Sequence, residues 1–217
     1  QALLANTSSM YAIYHGKDEL KRISNTIQAK TNVLKNILEI KYKINQNEVY
    51  GSFMVELNRN KKTLIFNRLL DNGIEVRKVK EGLVISINES TGADIIYDII
   101  KCFKIKIKKG DVINAIESYI FPNHRTDNFL NQEIFKTSKS ETEMMRYINK
   151  LCNKDYSLID GMIPLGSCTM KLNSVTEMEP LSWKNVQNIH PFQISKPEGY
   201  EFMINRLGER LKDITGM

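Results

Sequence analysis

Between Phe53 and Phe103 the apolar residues change period again and again, and that alternation constrains the fold most strongly. Phe53, Val55 and Leu57 recur every second residue, the period of a half-buried strand. Leu64, Ile65 and Leu69 then follow with helical spacing across residues 62–72, and Gly73 stands where a helix end favours glycine. Residues 75–79 and 83–87 read as two strands joined through Lys80, Glu81 and Gly82 by a hairpin-type turn. Thr91 is expected to cap a helix over residues 92–103, with Asp94 as a weak capping-box partner. Upstream, residues 1–40 read as helical, broken at His15-Gly16, with Leu20, Ile23, Ile27, Val33, Leu34, Ile37 and Leu38 continuing the apolar face. The order helix, strand, helix, strand, strand, helix predicts a compact α+β unit with helices on one face of a small sheet.

The rest of the chain reads differently. Residues 104–109 form a lysine run around two isoleucines, expected as a basic edge strand or a solvated linker. Residues 121–125 read as a loop, and 104–139 is the best place for a boundary between two units. Ser140 and Glu143 fit a capping box that opens a helix to about Asn153. Its Met144, Met145, Ile148, Leu151 and Cys152 share a face suited to a core or an interface. Residues 158–173 show no period at all: Ser167, Cys168 and Thr169 follow Gly166 in an apolar setting, a poor helix and a poor strand. Such breaches of local rules gather at functional sites. Residues 188–192 read as another ordered loop, and residues 198–214 as an amphipathic helix on Phe202, Leu207, Leu211 and Ile214, with Gly216 as its C-cap.

Composition excludes several classes. With 217 residues, 41% hydrophobic and 26% charged, the chain is ordinarily globular, and no apolar run approaches the roughly 18–20 residues of a membrane span. The net charge of +6 is spread over dispersed lysines without interleaved aromatics, which argues against a nucleic-acid-binding module. Three cysteines without CxxC spacing suggest neither a disulfide framework nor a zinc module, and favour a reducing compartment. The chain opens at Gln1 directly in a helical pattern and stops just after Gly216, so it is expected to be an internal piece of a longer protein.

Individual side chains leave alternatives open. Cys168 reads either as a nucleophile or as a packing group, since reactivity requires an electropositive, accessible setting. Lys171 suits a phosphate or carboxylate, or simply solvent. His190, before Pro191, suits proton transfer or a structural hydrogen bond. Arg125 suits a bidentate carboxylate clamp or an ordinary surface position. His15 and His124 have no companions that would make a metal site, and neither a Walker loop nor a Rossmann glycine fingerprint is present.

The run Met162-Ile-Pro-Leu-Gly-Ser-Cys-Thr-Met-Lys-Leu-Asn173, followed by Thr176-Glu-Met178 and Asn188-Ile-His-Pro-Phe192, closely resembles the glycine decarboxylase family, the P proteins of the glycine cleavage system. Gln1-Ala-Leu-Leu-Ala-Asn6, Met10-Tyr-Ala-Ile-Tyr-His-Gly16, the element order over residues 17–103, Ser140-Glu-Thr-Glu-Met-Met-Arg-Tyr147 and Asn153-Lys-Asp155 extend the resemblance over essentially the whole chain. It is weakest across residues 40–120. Lys139, Cys152 and Gly161 depart from the residues usual in the family.

The resemblance implies an α/β, aminotransferase-like fold of type I, built from two similar halves. In the fused form of the family, residues 1–20 would end the large domain of the first half, 21–120 would be its small α+β domain, and 121–217 would form a linker and open the second half. It implies a pyridoxal phosphate enzyme that removes the carboxyl group of glycine as CO₂ and passes the aminomethyl group to the lipoyl group of the H protein. The cofactor ring would act as the electron sink. The lysine that carries the cofactor would lie outside this chain, so the piece alone would be inactive, and Lys171 is not that lysine. Ser167, Cys168, Thr169, Lys171 and Asn173 would line the approach of glycine and lipoyl group, with His190 and Pro191 as lesser candidates and Arg125 matching a family arginine. A homodimer would be expected, in the cytoplasm of a bacterium or the mitochondrial matrix of a eukaryote, with no metal, nucleic acid or membrane partner. A non-catalytic scaffold or remnant of the same family is the alternative reading.

Overall fold

A computed structural model of the chain describes residues 1–44, 46, 49–121, 125–154, 156, 160–161, 174–187, 189 and 198–217. They fall into two compact units, Gln1–Asp155 and Tyr156–Met217.

The first unit opens with helix α1 (Ala2–Glu39), interrupted at Gly16, where φ is 66° and ψ −175°. That combination is essentially reserved for glycine, so the break expected at His15-Gly16 is real. Strands β1 (Ser52–Glu56), β2 (Arg77–Lys78) and β3 (Gly82–Ser86) form an antiparallel sheet in the order β1-β3-β2. The register sets Phe53 opposite Ile85 and Val55 opposite Leu83. All four are at most 1% exposed, whereas Ser52 lies in solvent. The period of two thus becomes a dry face and a wet one.

Helix α2 (Arg59–Asp71) begins earlier than the apolar spacing indicates, because Asn58 supplies the N-cap, its Oδ1 accepting from the Lys61 N–H at 3.0 Å. It ends in a Schellman motif: Gly73 has φ +70°, its N–H donates to the Leu70 carbonyl, and the Ile74 N–H donates to the Leu69 carbonyl. Leu69 and Ile74 both lie in the core, which locks the chain reversal. Helix α3 (Ala93–Cys102) contributes Ile96, Ile99 and Ile100 to the same core. Leu34 and Leu38 of α1, Ile65 of α2, and the buried strand residues complete it. Each such side chain contributes about 1.5–3 kcal/mol through removal from water.

Two local expectations are corrected. Thr91 does not cap α3; Gly92 occupies the N-cap without a side-chain bond. Thr91 instead exchanges hydrogen bonds with Asn88, and Asp94 pairs with Lys109 at 2.6 Å. Within residues 75–79 only Arg77–Lys78 form a strand.

The lysine run is neither an edge strand nor a free linker. Lys104 takes a left-handed conformation (φ 55°) and closes α3, with its N–H on the Lys101 carbonyl and the Ile105 N–H on the Ile100 carbonyl. Ile105 and Ile107 pack against the core. Helix α4 (Lys109–Glu117), unanticipated from the spacing, then buries Val112 completely. After a short helix α5 (Ile134–Thr137), the capping box expected at Ser140 and Glu143 opens α6 (Glu141–Cys152). The methionine face of α6 buries no residue, and Met145 is 71% exposed.

In the second unit, α7 (Val175–Met178) is followed by a 3₁₀ turn (Glu179–Ser182), α8 (Lys184–Gln187) and α9 (Glu198–Thr215). The expected amphipathic C-terminal helix is present, and the Gly216 N–H donates to the Lys212 carbonyl as a C-cap should. No described helix is long and apolar enough to cross a membrane.

Candidate functional site

Most of the side chains singled out from the sequence lie outside the described residues: Ser167, Cys168, Thr169, Lys171, Asn173, His190 and Pro191. Arg125 is described, and its surroundings are instructive. It lies in an exposed segment before α5, donating from Nε and Nη2 to the two carboxylate oxygens of Asp127 at 2.7 and 2.8 Å. The exposed arginine thus makes its bidentate pair with a carboxylate of the chain itself. The guanidinium also stacks 4.2 Å from the centre of the Phe129 ring. These bonds hold the Asp127 carboxyl below the usual carboxylate range.

Phe129 brings this segment onto α1. The ammonium groups of Lys17 and Lys21 sit 5.8 and 5.7 Å from the ring centre, and Lys17 donates to Asn128 Oδ1 at 2.8 Å. Further along, Lys139 Nζ donates to the carbonyl of Ile13 at 3.1 Å, just before the break at Gly16. Gly16 is buried there, and a Cβ on it would meet Lys139 Nζ and the Phe135 carbonyl oxygen. Gly16 stands out in the sequence as a break and Lys139 as a departure from the family, but nothing in the spacing connects two positions so far apart in the chain.

Around the break, His15 packs against Tyr11 and Tyr14, with ring centres 4.2 and 5.3 Å away. Burial raises the Tyr11 hydroxyl above its ordinary range, with Glu89 and Glu19 adding to the shift. Cys102 is buried, donates to the Arg68 carbonyl at 3.6 Å, and has its thiol pushed up by burial. It is a packing thiol, not a nucleophile. Among the described residues no group of His, Cys, Asp and Glu is placed to hold a metal ion.

Lys35 is buried but paired with Glu39 at 2.7 Å, and the partly buried Lys30 donates to the Glu89 carbonyl. Both serve the small α+β fold.

Comparison with known proteins gives a consistent picture. Residues 1–103 match the family model described as Glycine cleavage system P-protein. The whole chain is 36% identical over 224 residues to glycine dehydrogenase (decarboxylating) of Aliivibrio fischeri. The proteins of the same name are 38% identical over 232 residues in Nostoc punctiforme and 37% identical over 221 residues in Roseobacter denitrificans. In each case all of this chain is covered and 23% of the relative, so the chain spans under a quarter of the length of the curated relatives it matches.

Proposed function

We propose, from the membership of this chain in the glycine cleavage system P-protein family, that it is a segment of a glycine dehydrogenase (decarboxylating). The observation that carries this reading is the likeness along the entire chain to enzymes of that name, at 36–38% identity. The longer protein decarboxylates glycine and passes the aminomethyl group to the lipoyl group of the H protein. Pyridoxal phosphate is held mainly by parts of the polypeptide outside this chain, on an aminotransferase-like fold of type I, and the protein works as a homodimer. It belongs in the cytoplasm of a bacterium or the mitochondrial matrix of a eukaryote. Within that protein, residues 1–20 close the large domain of the first half, 21–120 form its small domain, and 121–217 open the second half.

Ser167, Cys168, Thr169, Lys171 and Asn173 line the path of glycine and the lipoyl group, with His190 beside them. Their small and polar side chains, set in an apolar run without period, support this placement. The basic chain composition needs no nucleic-acid partner, because the positive charge is dispersed.

The test is exchange of labelled bicarbonate into the glycine carboxyl group, catalysed by the full-length protein with pyridoxal phosphate and lipoylated H protein. Exchange that requires both additions is expected. A full-length protein that folds, binds the cofactor and yet exchanges no label would overturn the assignment.

A further inference from the structure

The break at Gly16 divides α1 into an outer arm, before it, and an inner arm, after it. Residues 2–12 of the outer arm contain no buried side chain; the first is Ile13, at 5% exposed. The outer arm therefore has little packing of its own to set its direction. The inner arm is different: Val33, Leu34, Ile37 and Leu38 anchor it in the core. The contacts at the break itself therefore bear most directly on the angle between the arms.

One segment touches both arms. Lys139 donates to the Ile13 carbonyl, on the outer side. Asn128 accepts from Lys17, and Phe129 lies under the ammonium groups of Lys17 and Lys21, on the inner side. Between these contacts α5 runs beside the break, with the Phe135 carbonyl oxygen so close to Gly16 that a Cβ would stand 2.5 Å from it. Carbonyl groups at the end of a helical segment lack intrahelical donors, and a lysine ammonium is one of the groups that satisfies them. Lys139 is itself held in place: its backbone N–H donates to Glu143 Oε2, within the capping arrangement of α6.

We infer that residues 125–139 form a strap that fixes the angle of α1 at Gly16, with Lys139 as its pin on the outer arm and Asn128 and Phe129 as its hold on the inner arm. Residues 2–13 and α6 are thereby coupled: the outer arm turns only when the Lys139 ammonium releases Ile13. The strap is a conformational device independent of the proposed enzymatic role. Lys139 is a positioning residue, not a catalytic one.

Amide hydrogen exchange in the full-length polypeptide tests this, comparing Lys139→Met and Lys139→Arg with the parent chain. Lys139→Met is expected to raise the exchange rate of amides in residues 10–18 by tenfold or more, with the β1 and β3 amides unchanged. Lys139→Arg, which keeps a cationic donor, is expected to retain most of the protection. Unchanged exchange at residues 10–18 in Lys139→Met would overturn the inference. Equal loss in both variants, or loss extending equally to β1 and β3, would overturn it as well, since either would show that the donor at position 139 is not a local pin.

Discussion

Gly82 opens β3 directly against the carbonyl group of Val55 on β1, so close that no side chain fits between them. A Cβ on Gly82 would collide with the Val55 oxygen and come within 2.9 Å of its carbonyl carbon. The glycine is required here by space: a backbone approaches where a methyl group would stand. Gly82→Ala is expected to force β1 and β3 apart and to destabilise the first unit by about 1–3 kcal/mol, the usual range for overpacking. Native-state exchange of the β3 amides reads the effect, and unchanged protection would show that the strands yield at no cost.

Glu143 provides a pH-dependent element. The Ser140 hydroxyl, the Ser140 N–H and the Lys139 N–H all donate to its carboxylate, holding its pKa below the ordinary glutamate range. A carboxyl group lowered on folding stabilises the folded state above its unfolded pKa, and this contribution fades as pH falls through the lowered value. The first turn of α6 is therefore expected to lose protection on acidification through and below the ordinary glutamate range. Glu143→Ala should be less protected at neutral pH and should lack this acid dependence. Exchange at residues 141–145, followed over the same pH series in both proteins, checks it.

Val112 tests whether α4 belongs to the core. It is fully buried between the apolar residues of α1 and α3, although it follows a run of lysines. Val112→Ala removes two methyl groups and leaves a void, so a loss of about 2 kcal/mol is expected. A solvated linker would tolerate the change within about 0.5 kcal/mol. Chemical unfolding of the two proteins separates these outcomes.

The sequence patterns that held were those in which one short-range signal decides. The period of two through Phe53, Val55 and Leu57, the glycine at 73, the break at Gly16 and the Ser140–Glu143 box each state their structure within a few residues. The misreading at 104–109 has a physical cause. Lys104 takes the left-handed position usually left to glycine, so α3 ends without its customary marker. The long lysine stems beside Ile105 and Ile107 mask two side chains that pack on the core. Thr91 had the right chemistry for a cap, but the Asn88 side chain, three residues earlier in the chain, competes for it, as polar side chains near helix starts do. The strap was illegible because its contacts join residues far apart in sequence. The candidate loop at 162–173 was marked by its lack of any period and by its resemblance to a family; its residues lie outside those the structure describes.

Cys168 offers the sharpest test of the proposed site. If this cysteine lines the approach of glycine and the lipoyl group, its small size matters more than its thiol. Cys168→Phe in the full-length protein is then expected to lower kcat/KM for glycine by tenfold or more, about 1.4 kcal/mol of transition-state stabilisation or greater. Its unfolding transition should move little. Cys168→Ala, which keeps the space and removes the sulfur, is expected to stay within a few-fold of the parent. If Cys168→Ala instead abolishes exchange, the thiol itself takes part in the chemistry and the lining role is wrong. If Cys168→Phe leaves turnover intact, the loop does not border the reaction path. Thr169 is open to the same comparison: a bulky replacement should block access, whereas Thr169→Ser should be tolerated. Steady-state kinetics with lipoylated H protein, alongside the unfolding midpoint of each variant, distinguish a blocked path from a damaged fold.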